Sequence, residues 1–140
     1  MLKVGIIGAR GYAGEELISI LLKHPKTKIN YLTARLKKPL PVSKIYPRFK
    51  SRIDLLCRDF NLDAARDAAD LFFLALPHTA AMDIAPKLLR ENKKVIDLSA
   101  DYRITDPEIY EAWYKVTHKD IYDLKRSVYG LAELNGKEIK

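Results

Sequence analysis

Glycines at positions 8, 11 and 14 follow an apolar run and open a helical pattern, in the stretch Val4 to Gly14 (V-G-I-I-G-A-R-G-Y-A-G). Glycine at that spacing suits the binding of an anion. Gly8 permits a tight turn, Gly11 removes the side chain that would hold a phosphate off the backbone, and Gly14 lets the new helix lie close to the preceding strand. The amides of Arg10 to Ala13 then face the anion, because a helix start carries partial positive charge and unpaired N–H groups. The spacing is Gly-x-x-Gly-x-x-Gly, not the commoner Gly-x-Gly-x-x-Gly, and the same glycines also serve a bare strand-to-helix turn. Their position, with a strand before them and a helix after, favours a pyrophosphate.

Other chemically capable residues stand where apolar runs stop. Thr33-Ala34-Arg35 closes a β-rich run and is followed by Lys37 and Lys38. A dinucleotide site for NAD usually carries an acidic residue there, whereas one for NADP leaves the carboxylate out and supplies a cation for the 2′-phosphate. Arg35 offers a planar fork for such a phosphate, which points to NADP. A solvated basic loop and a nucleic-acid patch are the alternatives. Against nucleic acid, aromatic residues are not interleaved with the cations to form a stacking platform. Pro77-His78-Thr79 follows Asp70 to Leu76 (D-L-F-F-L-A-L), and Ser99 to Arg103 follows Lys94 to Leu98. His78 and Thr79 are thereby placed to face a ligand lying on the glycine turn.

The elements that must position these residues are legible in outline. Lys3 to Ile7 predicts a first, central strand buried on both faces. Tyr12 to Lys23 predicts an amphipathic helix ended by His24-Pro25, and Lys28 to Ala34 a second strand that completes a βαβ unit. Leu36 to Arg52 holds three prolines and reads as a long surface loop with room for a short helix, and Ile53 to Cys57 as a short third strand. Asp70–Leu76 and Lys94–Leu98 read as buried strands. Asp97 in the latter needs a hydrogen-bond partner, since a carboxylate in an apolar setting is costly without one. Between them Thr79 to Arg90 turns helical around Pro86. Asp106 before Pro107 caps a further helix to about Tyr114. Val116 to Arg126 reads as irregular, with His118 at the surface, Val128 to Leu134 as a short strand and turn, and Asn135 to Lys140 as a starting helix. The fold class is therefore α/β, a Rossmann-type doubly wound, mostly parallel sheet with helices on both faces, and ligands of such sheets sit at the carboxyl ends of the strands.

Composition narrows the classes. With 140 residues, 48% of them hydrophobic, the chain has material for one compact domain, residues 1–140. No run reaches transmembrane length and the start is a strand rather than a signal peptide, which predicts a soluble cytoplasmic protein without membrane contact. The single cysteine, Cys57, excludes an internal disulfide and a cysteine-based metal site and reads as a core thiol. The net charge of +7 is local: Leu17 to Ile53 contains ten Lys and Arg and no Asp or Glu.

Taken together, the glycine turn with the following E-E-L, Thr33-Ala34-Arg35, A-L-P-H at Ala75 to His78, V-I-D-L-S-A-D-Y-R at Val95 to Arg103 and V-Y-G-L-A-E-L at Val128 to Leu134 resemble the N-terminal domain of the N-acetyl-gamma-glutamyl-phosphate reductase family, within the aspartate-semialdehyde dehydrogenase group. The resemblance covers essentially the whole chain in the right order. It implies NADPH-dependent reduction of a small-molecule acyl phosphate to an aldehyde through a cysteine thioester, by an enzyme that is a homo-oligomer when complete. It further implies that Gly8, Arg10, Gly11, Tyr12 and Ala13 hold the pyrophosphate and that Thr33 and Arg35 hold the ribose phosphate. Leu76, Pro77, His78, Ser99 and Ala100 would line the nicotinamide end, and Arg103 would meet the substrate. Ala34 stands where the family commonly has Ser, Thr79 where it has Gly, and Tyr102 where it has Phe. The family's nucleophilic cysteine comes beyond the Y-G-L-x-E-L segment, so this chain is expected to supply the cofactor part alone, and Cys57 does not match that position. Two other readings stay open: a lysine-pathway reductase whose substrate rides on a carrier protein, with the basic loop facing that carrier, and a non-catalytic NADP-binding module.

Overall fold

A computed structural model describes residues 1–139. Its centre is a six-stranded sheet in the order β3-β4-β2-β1-β5-β6, formed by β1 (Leu2–Ile7), β2 (Thr27–Thr33), β3 (Leu40–Pro41), β4 (Leu56–Arg58), β5 (Leu71–Leu74) and β6 (Lys94–Asp97). All neighbours pair in parallel except β3 with β4. The chain winds from β1 outward to β2 and β4, then crosses to β5 and β6 on the other side. The strand order therefore reverses beside β1, which is where open α/β sheets place their ligands.

Side chains alternate across β1, and each face is covered. Val4 and Ile6 pack with Ile18 and Leu21 of α1 (Tyr12–Leu21), while Ile7 packs with Ala65 of α3 (Leu62–Ala68) and with Ala85 and Leu88 of α4 (Ala85–Arg90). Helices on both faces are what parallel strands require, because such strands bury both surfaces. Asn61 caps α3 by accepting from the Ala64 amide at 2.9 Å, although the sequence reading assigns no element there. Pro86 lies in the first turn of α4, where a missing N–H costs nothing. Asp106 caps α5 (Pro107–Tyr114) as expected, accepting from the Glu108 and Ile109 amides.

Five expectations are corrected. The segment 36–52 holds the short helix it has room for, α2 (Val42–Ile45), but is no surface loop: it also carries β3 and a 3-10 turn at Pro47–Phe49, and it buries Val42 and Phe49 in the core. Its prolines fit these elements, one in an edge strand and one opening a helical turn. The strand β6 is not buried on both faces, since Ile96 and Leu98 are exposed and β6 ends the sheet among the described residues. Residues 116–126 contain α6 (Ile121–Leu124), and His118 within them is buried at 3% exposure. Residues 128–134 form no strand, having no strand to pair with; they lead instead into α7 (Ala132–Asn135). The helix expected from Asn135 onward is displaced: α7 ends at Asn135, residues 136–138 form turns, and Lys140 lies outside the described residues. No helix among the described residues is long and apolar enough to cross a membrane.

Gly14 is where helix and strand meet most closely. A Cβ built there would stand 2.8 Å from Ala9 Cα and against the Gly8 carbonyl oxygen, both backbone atoms unable to swing aside. Gly14→Ala is therefore expected to lower stability in urea denaturation by about 2 kcal/mol, the cost of overpacking a rigid contact. An unchanged midpoint would contradict that packing.

Candidate functional site

The sheet register brings the chemically capable residues to one line. Ile7 pairs with Thr33 on one side and Leu74 on the other, and Leu74 pairs with Asp97. Four parallel strands thus end level, and the segments after them, Gly8–Gly11, Ala34–Arg35, Leu76–His78 and Leu98–Arg103, emerge side by side along the carboxyl edge.

The glycine turn is built as its sequence implies. Gly8 has φ +96°, and a Cβ on it would lie 2.9 Å from the Ala75 carbonyl carbon. Only glycine meets both conditions without strain. Gly8 and Ala9 donate their amides to the Thr33 carbonyl oxygen at 3.2 and 2.7 Å, and the Gly8 amide also reaches the Thr33 hydroxyl at 3.2 Å. The buried Thr33 hydroxyl therefore faces the turn. Gly11 is the N-cap of α1 and no side chain caps the helix there. The nearest atom to a Cβ on Gly11 would be the Gly8 carbonyl oxygen at 3.8 Å, so a side chain there would occupy the open approach to the first-turn amides. Arg10 and Ala13 are exposed beside this opening, and Tyr12 is 93% exposed.

Residues 46–48 strap the turn from outside. The Tyr46 hydroxyl donates to the Arg10 carbonyl oxygen. Burial first, then the charge of Glu15, pushes this phenol above its ordinary range. Glu15 sits in the first turn of α1, where its charge competes with any bound anion for the helix start. Arg48 offsets it, with Nε 2.8 Å from Glu15 Oε1. Arg35, Lys37 and Lys38 are exposed, and none of the ion pairs among the described residues involves them.

At the β5 and β6 ends a polar cluster forms that the sequence reading does not anticipate. Asp101 is fully buried, and its carboxylate accepts from His78 Nδ1 at 2.8 Å, the Thr79 and Ala81 amides at 2.9 and 3.2 Å, and the Tyr110 hydroxyl at 3.1 Å. His78 keeps a 35% exposed side chain. Thr79 stands at φ +74°, unusual for a β-branched residue. His118 is not the unpartnered surface residue expected of its polar neighbours. Its Nε2 lies 2.8 Å from the Asp101 carbonyl oxygen and its Nδ1 accepts from the Asp120 amide at 3.0 Å. Burial and the negative charge of Asp101 push the Tyr110 hydroxyl upward, and burial with the bond to Asp120 does the same for Tyr102. The sequence signal for Asp101 is an Asp just after a strand end, inside the S-A-D-Y-R run, facing the helix start that follows β5.

Other expected site residues serve the fold as well. Leu76 leans toward Gly8, with Cδ2 3.4 Å from where a Cβ of Gly8 would lie. Pro77 is exposed and Ala100 half-buried. The Ser99 hydroxyl donates to Asp97 Oδ2 at 2.7 Å and accepts from the Asp101 amide at 3.1 Å, which supplies the partner that Asp97 needs. Even so, burial raises the Asp97 carboxyl above its usual range, against the lowering effect of those bonds. Arg103 is exposed and lines a cleft of about 680 Å³ with Tyr102, Arg126 and Tyr129, beside β6 rather than over the glycine turn.

A model of the semialdehyde dehydrogenase NAD-binding domain matches residues 3–140. N-acetyl-gamma-glutamyl-phosphate reductase of Alkaliphilus metalliredigens is 41% identical over 140 residues, all of this chain and 40% of that protein. The protein of the same name from Syntrophobacter fumaroxidans is 45% identical over the same shares. The [LysW]-L-2-aminoadipate/[LysW]-L-glutamate phosphate reductase of Saccharolobus solfataricus is 44% identical over 138 residues, 99% of this chain and 39% of that protein. The chain thus spans about 40% of the length of these curated relatives. Among solved structures, aspartate semialdehyde dehydrogenase with NADP from Candida albicans shares the fold at TM-score 0.64 and 19% identity, over 85% of this chain and 40% of that one.

Cys57 is the one thiol in the sequence, and it is fully buried between β2 and β3. Burial pushes its pKa up to about 11. A thiol so placed is neither exposed nor ionised near neutrality. Iodoacetamide at pH 8 is expected to leave the native chain unmodified and to label it fully in denaturant. Rapid native labelling, read by mass spectrometry, would contradict the assignment.

Proposed function

The chain belongs to the semialdehyde dehydrogenase family as its NAD-binding domain, and from that premise we propose that it is the cofactor-binding part of an NADPH-dependent reductase that converts N-acetyl-gamma-glutamyl phosphate to the semialdehyde in arginine biosynthesis. The relatives that carry that name, at 41 to 45% identity over the whole chain, support this substrate. In this reading residues 1–140 are one NADP-binding domain of a cytoplasmic homo-oligomer. When bound, NADPH supplies the hydride.

The chain's own residues bind and orient. The first-turn amides of α1, left open by Gly11, receive the pyrophosphate, with Arg10, Tyr12 and Ala13 around it and Gly8 setting the turn. Arg35 pairs with the 2′-phosphate, helped by Lys37 and Lys38. Thr33 contributes by holding the turn level with Arg35, because its carbonyl and hydroxyl oxygens bind Gly8 and Ala9. Leu76, Pro77 and His78, with Ser99 and Ala100, flank the nicotinamide end, and Arg103 serves the acyl phosphate. The reaction's thioester needs a thiolate, and Cys57, buried with its pKa raised to about 11, does not supply it. The observation that carries the proposal is the level ending of four parallel strands, which sets the anion turn between a free arginine and an oriented histidine.

A second reading is favoured by the Saccharolobus solfataricus relative, whose name specifies a LysW-linked substrate. It would direct Lys37 and Lys38 to an acidic carrier protein instead of a free metabolite.

Fluorescence titration separates NADP from NAD. The chain is expected to bind NADPH more tightly than NADH, and Arg35→Ala to weaken NADPH by about tenfold, the loss of one charge-assisted contact. NADH affinity should stay within about twofold. Equal losses for both dinucleotides would contradict the assignment of Arg35.

A further inference from the structure

We propose that Asp101 is a positioning residue for this site: one buried carboxylate sets the ring orientation and tautomer of His78 and, at the same time, the path of the turn between β5 and α4. The proposal rests on the reading of His78 as a cofactor-facing residue.

A buried carboxylate is costly unless donors surround it. Asp101 has four, and three come from one short segment: His78 Nδ1 and the amides of Thr79 and Ala81. The fourth is the Tyr110 hydroxyl from α5. An ionised carboxylate only accepts, so the His78 proton facing it must sit on Nδ1. In the neutral ring this leaves the Nε2 lone pair for a ligand. The Tyr110 hydroxyl is 3.4 Å from Nε2 and lies closer to Asp101. Tyr114 and Tyr110, themselves in contact, pack on one side of the imidazole with ring centroids 4.7 and 5.9 Å distant, which restricts its rotation.

Asp101 is itself held in place. Its carbonyl oxygen receives His118 Nε2, and its amide donates to the Ser99 hydroxyl. His118 is fixed in turn by the Asp120 amide, and Asp120 accepts from the Tyr102 hydroxyl at 2.8 Å. The backbone at Thr79 points independently to the same conclusion. A β-branched residue at φ +74° persists only where its surroundings over-determine the conformation. The Thr79 amide donates to Asp101 within that turn, and His78 stands immediately before it.

Nitrogen NMR of the full chain, at a pH above the imidazole titration, reads the tautomer directly. His78 is expected to carry its proton on Nδ1. Asp101→Asn, which keeps one acceptor but loses the charge, should weaken that preference and weaken NADPH binding by about tenfold, the scale of a lost charged hydrogen bond. Tyr110→Phe, which removes a neutral donor only, should keep the tautomer and change affinity by less than about threefold. A wild-type ring protonated on Nε2 would overturn the proposal, as would Asp101→Asn with tautomer and affinity both unchanged. The wild-type spectrum decides the matter even if Asp101→Asn does not fold. Unaltered NADPH binding by His78→Ala, together with the Nδ1 tautomer in the wild type, would overturn the cofactor role of His78 and uphold the positioning role of Asp101.

Discussion

Two amides, those of Gly8 and Ala9, converge on the carbonyl oxygen of Thr33. That junction ties the turn after β1 to the last residue of β2, and the Ala75 amide ties β5 to the same level through the Ile7 carbonyl oxygen at 2.8 Å. The chain can leave β1 only by the positive φ of Gly8, with no room for a Cβ beneath it. The direction of α1, the opening over its first turn and the distance from that opening to Arg35 all follow from this junction. Because every donor and acceptor in it is backbone or a buried hydroxyl, it does not depend on side chains that move with solvent.

Electrostatics adds the selectivity that geometry lacks. An anion at the start of α1 meets a favourable helix dipole, an unfavourable Glu15 and the compensating Arg48. The free cations at Arg35, Lys37 and Lys38 lie after the neighbouring strand. They belong to the stretch without a single acidic residue, and none of the ion pairs among the described residues takes them up. An exposed guanidinium is worth little against a single exposed carboxylate, but a phosphate presents several oxygens to its fork and draws more from it.

What was legible in the sequence is what local pattern encodes. The glycine turn, the runs of β1, β2 and β5 and the Asp106 cap are each specified within a few residues, and all stand where expected. Val42 and Phe49 were hidden by prolines that read as loop, though the core contacts lie far away in sequence. The run K-V-I-D-L reads as buried because its residues are apolar, yet exposure depends on which strand lies alongside, and β6 ends the sheet among the described residues. His118 reads as surface beside Thr117, Lys119 and Asp120, while its burial comes from Asp101, 17 residues away. Asp101 lay inside a recognised run without a role, since its donors at Thr79 and Ala81 are 22 and 20 residues distant.

The central claim is that a dinucleotide lies along the carboxyl edge with its pyrophosphate on the start of α1. Amide shift mapping of the full chain with added NADP tests it most directly. The account predicts the largest changes at Gly11, Tyr12 and Ala13, a second group at Arg35, and smaller changes at His78 and Thr79. Changes confined to the cleft beside β6, at Tyr102, Arg103 and Arg126, would contradict it.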